Sequence, residues 1–414
     1  MSDTPFGFGP GAGPGKEPER RVGPGPGGFP EDILGKVPLF AELQKLMSWQ
    51  GGPVNWDLAR QTAISQVAGG HLPVSDAERK TVEDAVRLAD LWLDPVTTLP
   101  SGVSHVEAWS RVEWIEKTLP VWAQLCDPVA ARVVAAMTSA LPAEAQQMAG
   151  PMMGVLGQFG GMLFGAQVGQ GMASLSAEVL SSTDVGLPLG PAGTAVLLPR
   201  NVADFGSGLE RPEEEVRLFL ALREAAYHRL FGHVPWLRQR LLDTVDAYAR
   251  GINVDSTALE QAMTQLDPND PESISAALGG GMFAPQDSPE QKRALARLET
   301  MLALVEGWVD QVVAQASDGR LPGAVALRET IRRRRASGGP AEQTFATLVG
   351  LELRPRRLRE AATLWTVLGE RRGVDGRDAI WAQVDLLPTA EDLDDPEGFA
   401  SRDDTGGPSM RDLT

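Results

Sequence analysis

The sequence has one cysteine, four histidines and no apolar secretory h-region near its start, and each scarcity removes a class of function. With Cys126 alone, no intrachain disulfide, cysteine-rich zinc site or CxxC redox pair can form. The expected setting is therefore the reducing cytoplasm, with Cys126 a buried thiol. Four histidines also leave little room for a generous metal site built on imidazole. Nucleophile signatures are missing too: there is no G-x-S-x-G elbow, and Cys126 has no histidine in a recognisable catalytic pattern. The Gly/Pro-rich start contains GFGPGAGPGK, but Pro10 stands where a phosphate loop needs glycine and Glu17 where it needs serine or threonine.

Positive charge is in deficit as well. A net charge of −17 argues against nucleic acid as a partner, since phosphate contacts need a basic surface. Arginines nonetheless gather at Arg328, at Arg332 to Arg335, and at Arg354, Arg356, Arg357 and Arg359. Such a cluster can bind phosphate, but in an acidic chain its expected use is internal pairing with carboxylates. From Ala145 to Ala177 charge is absent altogether, while Gly157, Gly161, Gly165 and Gly169 recur every four residues and Ala173 continues the row. A membrane span with a small-residue face is one reading. Gln158, Gln167, Gln170 and the lack of flanking basic residues favour the other, a buried helix on which a second backbone packs closely.

What is present is helical periodicity. The pattern predicts a mainly α chain with long helices and at most a small β element. It divides into a disordered tail (1–29), a helical N-terminal domain (30–150), a second domain (151–390) and a mobile acidic tail (391–414). Helices are expected over a short stretch after Pro30, then at about 55–68, 75–93 and from Ser104 to Trp122, the last opened by a Ser104/Glu107 capping box. Thr194 to Leu198, bounded by Gly193 and Pro199, reads as a strand or hairpin edge. His71, His105 and His233 fall near helix ends, where capping or exposure is the default.

The clearest helix runs from Arg211 to Trp236. Pro212 suits its first position, and Glu213, Glu214 and Glu215 place negative charge at the positive end of the helix dipole. Val216, Leu220, Arg223, Tyr227 and Leu230 share one face, and Gly232 and Pro235 are expected to stop it. A later helix, Ser288 to Ala316, carries a stripe of Leu295, Leu298, Leu302, Val305, Val309 and Val312, with Glu306 and Asp310 beside it. Its neighbours are almost all apolar, so Glu306 is expected to be at least partly buried and to need a partner.

Metalloprotease helices carry H-E-x-x-H, in which two histidines one turn apart hold zinc and the glutamate polarises water. The same frame here reads Arg223-Glu224-Ala225-Ala226-Tyr227. Together with LPRNVADF (198–205), REAAYHRLFGHVPWL (223–237), LVEGWVD (304–310), GLELRPRRLREA (350–361) and DLLPTAEDL (385–393), it resembles the actinobacterial zincin-like metallopeptidase family, described as hydrolases or zinc-dependent metalloproteases. The resemblance runs from about Pro30 to Phe399 and makes 151–390 the metallopeptidase domain. It implies a zinc cofactor, peptide substrates, Glu224 as general base and Glu306 as a metal ligand, with Arg223 and Tyr227 where the family has histidines.

A guanidinium is not a zinc ligand, but it can supply fixed positive charge and forked hydrogen bonds to Glu224 or Glu306, turning the site into a buried ion pair. His228, one turn after Glu224, offers a displaced metal site with Glu224 and Glu306, although it projects about 100° away from Arg223 and Tyr227 around the axis. Two functions stay open. One is a zincin-type hydrolase with an altered site acting on peptide or protein; the other is a non-catalytic binding or structural module with a protein partner.

Overall fold

Burial of apolar helix faces organises the chain around one helix that has no exposed side along most of its length. The computed structural model describes residues 52–70, 73–139, 150–250, 288–336 and 357–402, which fall within one compact unit, Trp49–Thr414. The predicted N-terminal tail, the short helix before Gly51, and His71 lie outside the described residues. α1 (Trp56–Val67) starts where the Asn55 side chain accepts from Leu58 N, and α2 (Asp76–Leu93) starts at a Ser75/Glu78 capping box. Both starts are written in local sequence.

The next element differs from expectation. His105–Ala108 is a strand, β1, and α3 (Arg111–Ser139) begins after it. The capping pair is Ser110 and Glu113, which has the same spacing as Ser104 and Glu107: Ser110 N donates to Glu113 Oε2 at 2.7 Å and Glu113 N to Ser110 Oγ at 3.2 Å. Glu107 instead accepts from Trp109 Nε1 at 2.6 Å and from Lys117. Two boxes competed, and the one after the β-prone Val106 won because β1 finds a strand to pair with. That strand is β2 (Thr194–Leu197), parallel to β1 in the register His105 with Thr194 through Ala108 with Leu197, and its Leu197 also makes an isolated antiparallel bridge to Ser181.

α4 (Gly150–Glu178) holds the glycine row, and the row is a contact face. Asn55 N donates to Gly161 O at 2.9 Å, and a Cβ on Gly165 or Gly169 would stand 2.5 Å from Asn55 O or Ala59 O of the α1 segment. Among the described residues no helix is long and apolar enough to cross a membrane. Cys126, on α3, is buried, which pushes its thiol far above the usual range.

After α5 (Pro199–Gly206) comes α6 (Glu213–His233), the predicted central helix. Pro212 is its N-cap rather than its first residue, and Gly232 does not end it: the helix runs to His233, and Pro235 opens α7 (Pro235–Arg250). Gly232 serves close approach. A Cβ there would lie 3.3 Å from Gly102 Cα, and one on Gly102 would lie 1.9 Å from His228 O, so the 102 segment rests on the helix backbone. Phe219 through Leu230 are all buried, which replaces the expected single stripe by burial all round. α6 packs against α2, β2, α5, α7, α8 (Pro289–Ser317) and α9 (Ala324–Ala336). α8 opens with a Ser288/Gln291 capping box and is buried without a break from Met301 to Val313.

α10 (Leu358–Ala379) packs on α8, and α11 (Pro396–Ser401) packs on α10. The acidic tail is therefore ordered at its start. Phe399 and Ala400 are buried, and Arg402 pairs with Asp392 at 2.6 Å. Only the part beyond Arg402 lies outside the described residues.

Candidate functional site

α6 sends its charged residues in three directions. Arg223 and Tyr227, one turn apart, meet α8. Glu224 and His228, about 100° further round, meet β2 and the 181–186 segment. Arg229 meets α2, where its guanidinium binds Asp90 and Asp94 at 2.7 and 2.6 Å and Leu99 O at 2.9 Å.

Glu306 is the node of the first direction. It is 0% exposed, and both of its oxygens are taken by guanidinium: Arg223 Nη2 lies 2.8 Å from Oε2 and Arg335 Nη2 lies 2.7 Å from Oε1. The buried Tyr227 hydroxyl also bonds Glu306, and Arg223 lies 5.8 Å from the Tyr227 ring centroid. Burial alone would raise the Glu306 carboxyl, but Arg335 and Arg223 outweigh it and hold the group below its ordinary value. Burial and the negative charge of Glu306 push the Tyr227 hydroxyl well above its usual range, which keeps its proton on and makes it a donor. Gly186, at φ 80°, closes the cage: a Cβ there would sit 3.1 Å from Arg335 Nη2 and 3.2 Å from Glu306 Oε1.

Glu224 is equally enclosed and equally satisfied. Ser182 Oγ donates to its Oε1 at 2.5 Å, Thr183 Oγ1 donates to Oε2, and Val196 N of β2 donates to Oε1 at 3.0 Å. His228 Nε2 stands 3.3 Å from Oε1. Burial raises this carboxyl, yet the bonds from His228, Ser182 and Thr183 bring it below its ordinary value.

The predicted site residues are thus brought together in two sets, Arg223 and Tyr227 on Glu306, and His228 on Glu224. Among the described residues no group of three or more His, Cys, Asp and Glu side chains could hold a metal ion. Sequence reasoning missed Ser182, Thr183 and Gly186, which carry no motif. It saw Arg335 only as one of a run. The signal was available: four arginines in succession on a helix point to every side, so at least one must turn inward and find a carboxylate. The whole cluster, where described, is internally matched, with Arg328 and Arg332 on Asp310, Arg334 on Asp184, Arg333 and Arg359 on Glu329, and Arg357 on Asp394.

The chain matches the zincin-like metallopeptidase family over residues 54–400. It belongs to that family. Its fold is shared by the crystal structure of a "putative hydrolase with a novel fold" from Chloroflexus aurantiacus, at a TM-score of 0.59 and 20% identity over 86% of this chain and 100% of that one. No curated protein matches the chain.

The family implies zinc, and the residues here do not fit it. The positions where the resemblance puts the ligand histidines hold a guanidinium, which has no lone pair to give, and a phenol that keeps its proton. The remaining carboxylate has both oxygens occupied, and a dication beside it would face two guanidiniums.

Proposed function

We propose that this chain is a member of the zincin-like metallopeptidase family that does not cleave peptides by zinc chemistry and acts instead as a non-catalytic binding or structural module. The observation that carries the reading is the double guanidinium clamp on Glu306. Arg223 and Arg335 together bring two positive charges to the carboxylate, the same charge as the dication they stand in for. The electrostatics of a metal centre are kept while its open coordination position is lost. A general-base role for Glu224 needs a free oxygen facing water or substrate. This carboxylate is 0% exposed and receives donors from Ser182, Thr183, Val196 and His228.

Elemental analysis of protein purified without a histidine tag tests the reading, alongside the Glu224→Gln and Glu306→Gln variants. We expect substoichiometric zinc in all three and no peptide hydrolysis above a heat-inactivated control. Stoichiometric zinc that disappears with Glu306→Gln, together with hydrolysis abolished by Glu224→Gln, would reverse the conclusion.

A further inference from the structure

The carboxyl ends of both strands open onto a cavity of about 390 Å³ between the end of α1 and the starts of α2, α5 and α6, a volume at the small end of ligand sites. No residue of the Glu306 or Glu224 clusters lines it. Its floor is apolar and buried, formed by Trp109, Leu197 and Val202, and its rim carries Arg111, Arg200 and Arg217.

The rim arginines differ from those of α9. Arg111 is held by Asn201 Oδ1 at 2.8 Å and Asp204 Oδ2 at 3.0 Å, and Arg217 by the exposed Glu213 at 3.0 Å. Among the described residues the exposed Arg200 meets no carboxylate, and its one bond is to Gly70 O at 3.3 Å. Unlike the α9 arginines, each matched to a carboxylate, Arg200 lines a cavity with its guanidinium open to a ligand. The other charged groups on the lining are Glu78, committed to capping Ser75, and Glu213. Arg111 is matched by Asp204 and Arg217 by Glu213, which leaves Arg200 as the one lining guanidinium without a carboxylate among the described residues. One unmatched guanidinium suits a monoanion, and the apolar floor suits a hydrocarbon body. The start of α5, which no side chain caps, adds partial positive charge to the same wall but is not what carries the assignment.

We propose that this cavity binds a small apolar carboxylate, with its hydrocarbon on Trp109, Leu197 and Val202 and its carboxylate forked by Arg200 and Arg217. The site is independent of the α6 centre and stands or falls separately from the loss of peptidase chemistry.

Isothermal titration of the full chain with hexanoate tests it, with hexanol and hexylamine as shape-matched controls. Hexanoate is expected to bind about tenfold or more tightly than either control, the scale of one charged hydrogen bond. Arg200→Gln and Arg217→Gln should each remove most of that preference, while the distant, exposed Arg333→Gln leaves it unchanged. N-acetyl-leucine binding as well as hexanoate would make a peptide C-terminus the natural source of the carboxylate, and its exclusion would make the source a free acid. Equal binding of hexanoate and hexanol, or a hexanoate affinity untouched by both cavity variants, would overturn the proposal.

Discussion

Arg223 Nη2 lies 2.8 Å from Glu306 Oε2, joining two side chains 83 positions apart in an interior where Glu306 is wholly buried and Arg223 nearly so. Such a pair is worth little against an apolar replacement of both partners, but losing one partner strands the other. Arg223→Ala leaves Glu306 with Arg335 alone, and we expect a loss of about 3 to 5 kcal/mol, read by urea unfolding. Replacing both residues by Met and Leu should cost much less than the single change. A single variant as stable as the parent would mean that Arg223 does not hold the buried carboxylate in place.

The acid side of the stability profile follows from the same pairs. Glu306, Asp310 and Asp378 are each raised by burial, yet all three are held below their ordinary values, by Arg335 and Arg223, by Arg328 and Arg332, and by Arg377 respectively. Their unfolded values are near 4. The unfolded chain therefore takes up protons first as pH falls, so the stabilisation is complete above about pH 5 and is lost below about pH 4. Glu306→Gln should flatten that fall. Stability that increases on acidification would contradict the depressed values.

Glu224→Gln separates a structural from a catalytic glutamate. The amide cannot accept from Ser182, Thr183 and Val196 together while its nitrogen sits in a ring of donors, so we expect a loss of roughly 1 to 3 kcal/mol in thermal or urea unfolding. A variant of parental stability that loses hydrolytic activity would instead mark Glu224 as a working base.

The glycines of α4 divide sharply. Gly169→Ala places a methyl 2.5 Å from Ala59 O and must push α1 outward, so unfolding should be easier by about 1 to 3 kcal/mol. Gly160→Ala meets nothing within 4 Å and should stabilise by about 0.5 to 1 kcal/mol through helix propensity. Opposite signs from two identical substitutions on one helix, measured by urea midpoint, check the contact face.

Much of this was legible in the sequence, and for local reasons. The starts of α2 and α8 are set by capping side chains, and the glycine row and the buried Glu306 follow from composition within one helix. What could not be read depended on partners distant in the chain. Glu107 lost its capping role because β1 pairs with β2, a strand 89 positions later, and Ser182 and Thr183 gain meaning only where they touch Glu224. The α6 stripe widened into burial all round because helices and strands that are separate in sequence enclose it.

The three directions of charge on α6 also make the helix self-indexing. Arg223 faces a carboxylate on α8, Glu224 faces hydroxyls beside β2, and Arg229 faces the aspartates of α2. A slip of one residue turns the helix by about 100° and would bring Glu224 to Glu306, carboxylate against carboxylate, while Arg223 leaves its partner. Apolar packing alone would tolerate several such alignments. The interior charges act as a combination lock that opens at a single rotation and translation of the central helix.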